Sequence, residues 1–191
     1  MARLDPKILT DLKQDGLVRE GHFAYRSGRH SGVLLDRDRL LTNPVAASHM
    51  GYALAKRFFA DHIATIAAPS IWGAGLAQWV AYFLEPKAMI VYATSVGGNL
   101  TVAENVIDLI QNQRLLLVDN LIISGDTMRQ FDETIEELGG SVVGLGTLWN
   151  SSDPQIAGHD VFGLLNTLYD AYEAGACPLC AAGSPPIAID Y

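Results

Sequence analysis

The stretch from Arg114 to Thr127, RLLLVDNLIISGDT, constrains the fold of this chain more than any other. Leu115 to Val118 form an unbroken apolar run. Runs without alternation suit a strand buried on both faces, as in parallel sheets. Asp119 and Asn120 follow, then the apolar triplet Leu121 to Ile123, then Ser124-Gly125-Asp126-Thr127. Beyond these, Met128, Phe131, Ile135 and Leu138 fall on one helical face. The unit reads as strand, polar turn, helix. Small residues and glycine at a helix N-terminus leave backbone N–H groups available to a phosphate.

The rest of the chain repeats this alternation. Asp5-Pro6 is a cap-plus-proline start for a short helix that Gly16 can end, and Asn43-Pro44 starts a longer one reaching about Ala60. Buried strands are expected over His62 to Ala68, Ala88 to Ala93 and Ser141 to Trp149, with a shorter one at Val33 to Leu35. A further element is expected within Phe162 to Leu168. The turn Pro69 to Gly73 leads into a helix, Ala74 to Leu84, that stops ahead of Pro86. Gly97-Gly98-Asn99 marks a hairpin or loop tip, and Gly175 to Pro186 reads as irregular. Strands alternating with helices predict an α/β fold: a mostly parallel sheet with helices on both faces. Ligands of such folds sit at the C-terminal ends of the strands.

At 191 residues and 49% hydrophobic content, with mean hydropathy +0.18, the chain is long and apolar enough for a substantial core. No apolar stretch is long enough to cross a bilayer, and no signal peptide is evident, so the expected location is the cytoplasm. A net charge of −8 without a basic tail argues against nucleic acid as a partner. Any strongly anionic substrate therefore needs a local cluster of cations or Mg²⁺. Cys177 and Cys180 are the only cysteines. They make half of a tetrahedral zinc site, and no histidine stands near them in sequence, so plain reduced thiols are expected ahead of a dimer-bridging feature, and no metal ligand is assigned. Gly73-Ala74-Gly75 is a poor dinucleotide fingerprint, because Gln78 replaces its third glycine.

Gly21 to Asp36, GHFAYRSGRHSGVLLD, is the second informative stretch. Arg26, Arg29 and His30 crowd one loop. On charge pattern they read as a solvated loop paired with local acids; as arginine forks they also suit an anion.

Both stretches resemble a known family. Asp119 with Ser124, Gly125 and Thr127 resembles the phosphoribosyl-diphosphate (PRPP) signature of type I phosphoribosyltransferases. HFxxxSGRHS, from His22 to Ser31, resembles the N-terminal segment of orotate phosphoribosyltransferases, and the terminal CPLC resembles one branch of such proteins. The resemblance spans nearly the whole chain. It implies the type I phosphoribosyltransferase fold in a single domain, with a small hood from about 1–40 and 150–191. It implies transfer of ribose 5-phosphate from PRPP to orotate, in a homodimer, with Mg²⁺ held mainly through PRPP.

The resemblance also assigns roles. Asp119 and the neighbouring Asn120 take the ribose hydroxyls. Ser124, Gly125, Asp126 and Thr127 form the 5′-phosphate loop. Ser70 and Gly73 belong to the diphosphate turn, and Arg26 and Arg29 face the diphosphate or the orotate carboxylate. Four of the departures from the family pattern bear on activity. Asn120 replaces a second acid, Asp126 puts a negative charge in the phosphate loop, and Trp72 replaces a usual glycine. The fourth is the segment Met89 to Gln113, which carries no Lys, Arg or His where the family has a basic loop. These features support an alternative: a nucleotide- or sugar-phosphate-binding protein with weak or no transferase activity.

Overall fold

The computed structural model describes residues 10, 12–14, 16–166 and 170–190. Seven strands form the main sheet: β3 (Thr65–Ala68), β4 (Met89–Val96), β5 (Asn99–Val102), β6 (Arg114–Ile122), β7 (Ser141–Asn150), β8 (Gln155–Ile156) and β9 (His159–Gly163). Their order is β5-β4-β3-β6-β7-β9-β8. The five inner strands run parallel, and β5 and β8 add antiparallel edges. The expected mostly parallel α/β sheet is therefore present.

The apolar run of the central motif becomes the middle strand. Along β6 the side chains alternate between two cores: Leu116 and Val118 join one, Leu115 and Leu117 the other. Helices α2 (Pro44–Phe58) and α3 (Ile71–Phe83) contribute to the first core, and α4 (Asp126–Glu137) covers the second. Met128, Phe131 and Ile135 of α4 are fully buried, the face the sequence predicts. Each such side chain contributes roughly 1.5–3 kcal/mol by leaving water. Asn43 caps α2 by accepting the N–H of Ala46, with Pro44 at the first helical position.

A second sheet, of order β10-β2-β1-β11, joins the two ends of the chain. It comprises β1 (Val18–Tyr25), β2 (Arg29–Leu35), β10 (Ala171–Glu173) and β11 (Ile187–Ile189). Tyr25 packs on Trp149 of β7, ring centroids 5.9 Å apart, and so ties this sheet to the main core. A short helix α1 (Arg37–Thr42), capped by Asp36, follows β2.

Several expectations need correction. β6 runs through Asp119 and Asn120 to Ile122, so the acid and the amide lie within the strand and not in a turn. β1 was not expected: its burial pattern is irregular, and its register shifts between Glu20 and Phe23. The segment read as irregular holds a short helix, α5 (Pro178–Ala181), and leads into β11. The expected element at 162–168 begins earlier, as β9, and its last two residues lie outside the described residues, as does most of the helix expected from Asp5. No described helix is long and apolar enough to cross a membrane.

Candidate active site

A cavity of about 480 Å³ opens at the C-terminal end of β6. That lies within the usual range for small-molecule sites. Arg26, Arg37, Ser70, Trp72 and Asp119 line it, together with the loop from Leu121 to Met128. Three segments far apart in sequence thus converge where an α/β fold places its ligand.

Asp119 is held at the floor of this cavity. Its Oδ1 accepts the N–H of Asn120 at 2.8 Å. Burial raises its carboxyl to about 6, while that N–H and the Arg37 guanidinium act in the opposite direction. α3 approaches β6 closely here. A Cβ on Gly73 would lie 3.0 Å from Asp119 Oδ1 and 3.1 Å from the Val118 carbonyl. Glycine at 73 is thus required by the close approach of helix and strand. Ser70 accepts the Gly73 N–H and caps α3.

Asn120 faces away from the cavity, as strand alternation requires. It is 1% exposed, and its Nδ2 donates to the Trp72 carbonyl at 3.0 Å. Its side chain therefore braces the first turn of α3, which starts at Ile71 and not at the expected Ala74, and does not line the cavity. Trp72 is itself 46% exposed, with the Arg37 guanidinium 5.6 Å from its ring centroid. That stacking places a cation at the cavity wall from within the same chain.

The loop at Ser124 to Thr127 starts α4 in the expected manner. Gly125 is the N-cap residue with φ 86°, a conformation glycine adopts without strain. Asp126 accepts the Ser124 hydroxyl at 2.8 Å and Arg129 Nη1 at 2.7 Å. Arg129 thus compensates the negative charge in the loop; the i, i+3 spacing of Asp126 and Arg129 was the sequence signal for it. Gln130 donates to the Gly98 carbonyl at 3.1 Å.

Arg26 and Arg29 take separate paths. Arg26 is exposed at the tip of the β1–β2 hairpin and lines the cavity. Arg29 pairs with Glu173 of β10 at 3.2 Å and donates to the Ser151 carbonyl, and it is not among the residues lining the cavity. Arg26→Ala is expected to weaken binding of an anionic ligand in the cavity by roughly 1.5–3 kcal/mol, the range for a charged hydrogen bond. Arg29→Ala is expected to lower thermal stability with a smaller change in affinity. Calorimetry and thermal unfolding on both variants check this; equal losses of affinity contradict it.

The cation-free segment forms a tight hairpin. β4 and β5 are joined by Gly97 and Gly98, both at positive φ. Such a two-residue turn fits the twist of the flanking strands. The bond from Gln130 fastens its tip to α4, one turn beyond the Ser124–Thr127 loop.

Against known proteins, no family model matches the chain. The chain is 32% identical over 179 residues to an orotate phosphoribosyltransferase of Thermus thermophilus, covering 93% of this chain and 97% of that protein. The chain belongs to the orotate phosphoribosyltransferase family. The orotate phosphoribosyltransferase of Caldanaerobacter subterraneus is 27% identical over 180 residues, covering 94% of this chain and 93% of that protein. Solved structures carry the same fold. The family member from Aeropyrum pernix aligns with TM-score 0.62 and 20% identity, over 82% of this chain and 92% of its own. UMP synthase of Leishmania donovani aligns with TM-score 0.67 and 20% identity, over 83% of this chain and 35% of its own.

Proposed function

We propose that this orotate phosphoribosyltransferase family member binds PRPP in the cavity over β6 and transfers its ribose 5-phosphate to orotate. The carrying observation is the convergence of Asp119, the Ser124 to Thr127 loop and Arg26 on one cavity. The Asp119 carboxylate accepts the ribose hydroxyls. Backbone N–H groups at the start of α4, with Ser124 and Thr127, hold the 5′-phosphate. Ser70 and the start of α3 flank the diphosphate, and Arg26 and Arg37 face its charge or the orotate carboxylate.

In the reaction the bond from ribose C1 to the diphosphate oxygen breaks, and a bond from C1 to an orotate ring nitrogen forms. The protein contributes by positioning both reactants and stabilising the oxocarbenium-like state between them. The site has one carboxylate on its floor, and Asp126 is engaged by Arg129. This donor set fits a Mg²⁺ ion held by Asp119 and the substrate rather than by a protein cage. Bound in that way, Mg²⁺ neutralises part of the diphosphate charge. A homodimer in the cytoplasm follows from the family resemblance.

A second reading has a specific observation in its favour. The hairpin at Gly97-Gly98 brings no cation to the leaving diphosphate, and the large Trp72 stands in the first turn of α3 at the cavity wall. On that reading the chain binds PRPP or a nucleotide and transfers slowly or not at all. Calorimetric titration with PRPP and Mg²⁺ tests what the two readings share. Saturable binding that weakens when Asp119 is replaced is expected; no binding overturns both.

A further inference from the structure

The sequence places no histidine near Cys177 and Cys180, but the fold brings two. His22 of β1 and His30 of β2, the two inner strands of the second sheet, meet the cysteines, with one ligand atom from each residue within 4.8 Å of every other. We propose that these four side chains bind a structural Zn²⁺ ion that fastens the end of the chain to the β1–β2 hairpin.

The nitrogen–sulfur distances fit such an ion, and the two imidazole nitrogens need only move slightly apart to take it. His22 Nε2 lies 3.0 Å from His30 Nδ1, 3.5 Å from Cys177 Sγ and 3.7 Å from Cys180 Sγ. Cys180 Sγ lies 3.3 Å from His30 Nδ1. Zn–N bonds of about 2.0–2.1 Å and Zn–S bonds of about 2.3 Å, at tetrahedral angles, put ligand atoms roughly 3.3–3.8 Å apart. A set of two thiolates and two imidazoles suits zinc, a borderline-soft ion.

The surroundings orient the ligands as well. His22 Nδ1 lies 2.8 Å from the Ser184 carbonyl, a bond it makes only as a donor. That fixes the tautomer and leaves the Nε2 lone pair directed at the cluster, the usual supporting arrangement around a metal-bound imidazole. Backbone bonds from Ala181 to Cys177 and from Gly183 to Cys180 shape the Cys-x-x-Cys turn. Cys177, His22 and His30 are buried, whereas Cys180 is exposed and gives the ion its way in.

A fastener is needed at this place. β11 joins the second sheet through only three residue pairs with β1. The hairpin it helps to hold carries Arg26 into the cavity. Zinc would tie three separated segments together by binding, without any redox step.

The test is metal analysis of the full-length protein, followed by chelation and titration with Co²⁺. About one zinc per chain is expected, with Co²⁺ giving thiolate charge-transfer and tetrahedral d–d absorption. Cys180→Ser and His22→Gln should each lose the metal and the bands, and zinc should raise the unfolding temperature of the metal-free protein by about 5 °C or more. A Co²⁺ spectrum without thiolate bands overturns the proposal. So does equal metal binding by the variants, or a Cys177–Cys180 disulfide in freshly purified protein. The Co²⁺ spectrum of the unaltered chain decides the matter even if a variant fails to fold.

Discussion

Asp119→Asn is expected to stabilise the free protein and to disable it. Burial raises the Asp119 carboxyl to about 6 from an ordinary value of 3.8. A raised folded-state value means that its favourable contribution is complete below about pH 4 and is lost as pH rises through about 6. At pH 7 the ionised group therefore weakens the fold, by about 1–3 kcal/mol at 1.36 kcal/mol per unit. Asparagine removes that cost and should raise the midpoint of unfolding. The same change removes the charge that, in the proposed site, receives the ribose hydroxyls. Two charged hydrogen bonds of about 1.5–3 kcal/mol each make a loss of at least 10²-fold in kcat/KM the expected result. In the unaltered protein, affinity for PRPP should fall as pH drops through about 6, because the protonated carboxyl is a weaker acceptor. A variant that is less stable, or a flat affinity between pH 5 and 7, contradicts this role for Asp119.

The second large effect is a gain. Val96 and Asn99 flank the two-glycine turn, both are exposed, and the tip is fastened to α4 near the phosphate loop. Replacing both by lysine, with the glycines left in place, supplies cations on the side where the chain has none. Each new contact with the departing diphosphate lowers the barrier by about 1.4 kcal/mol or more, so kcat should rise at least tenfold. Binding of PRPP should tighten, and increasing salt should erode the gain, since exposed charges are screened. Unchanged kcat at low salt means that the hairpin does not reach the leaving group.

Much of this was legible in the sequence because the relevant signals are local. The run from Leu115 to Val118 admits little but a buried strand, and Gly125 with a polar loop before an amphipathic segment marks a helix start. Asn43-Pro44 fixed the start of α2 through ordinary capping chemistry. What the sequence hid depends on distant contacts. Asn120 sits beside Asp119 in the chain, yet strand alternation sends it to the opposite side. Arg26 and Arg29 look equivalent, but Glu173, which engages Arg29, arrives from the other end of the chain. The same end-to-end pairing hid the histidines that meet Cys177 and Cys180, more than 140 residues away in sequence. β11 was missed because it depends on pairing across that distance, and β1 because its burial pattern is irregular and its register with β2 shifts between Glu20 and Phe23.

Steady-state turnover of PRPP and orotate, with Mg²⁺ present and PRPP binding measured on the same preparation, tests the central claim most directly. The cavity predicts saturable PRPP binding. The cation-free hairpin predicts formation of diphosphate and orotidine 5′-monophosphate at a rate well below the ordinary enzyme range of roughly 1–10³ per second. Turnover within that range by the unaltered protein contradicts the slow transfer inferred from the hairpin, and absence of PRPP binding contradicts the proposed site itself.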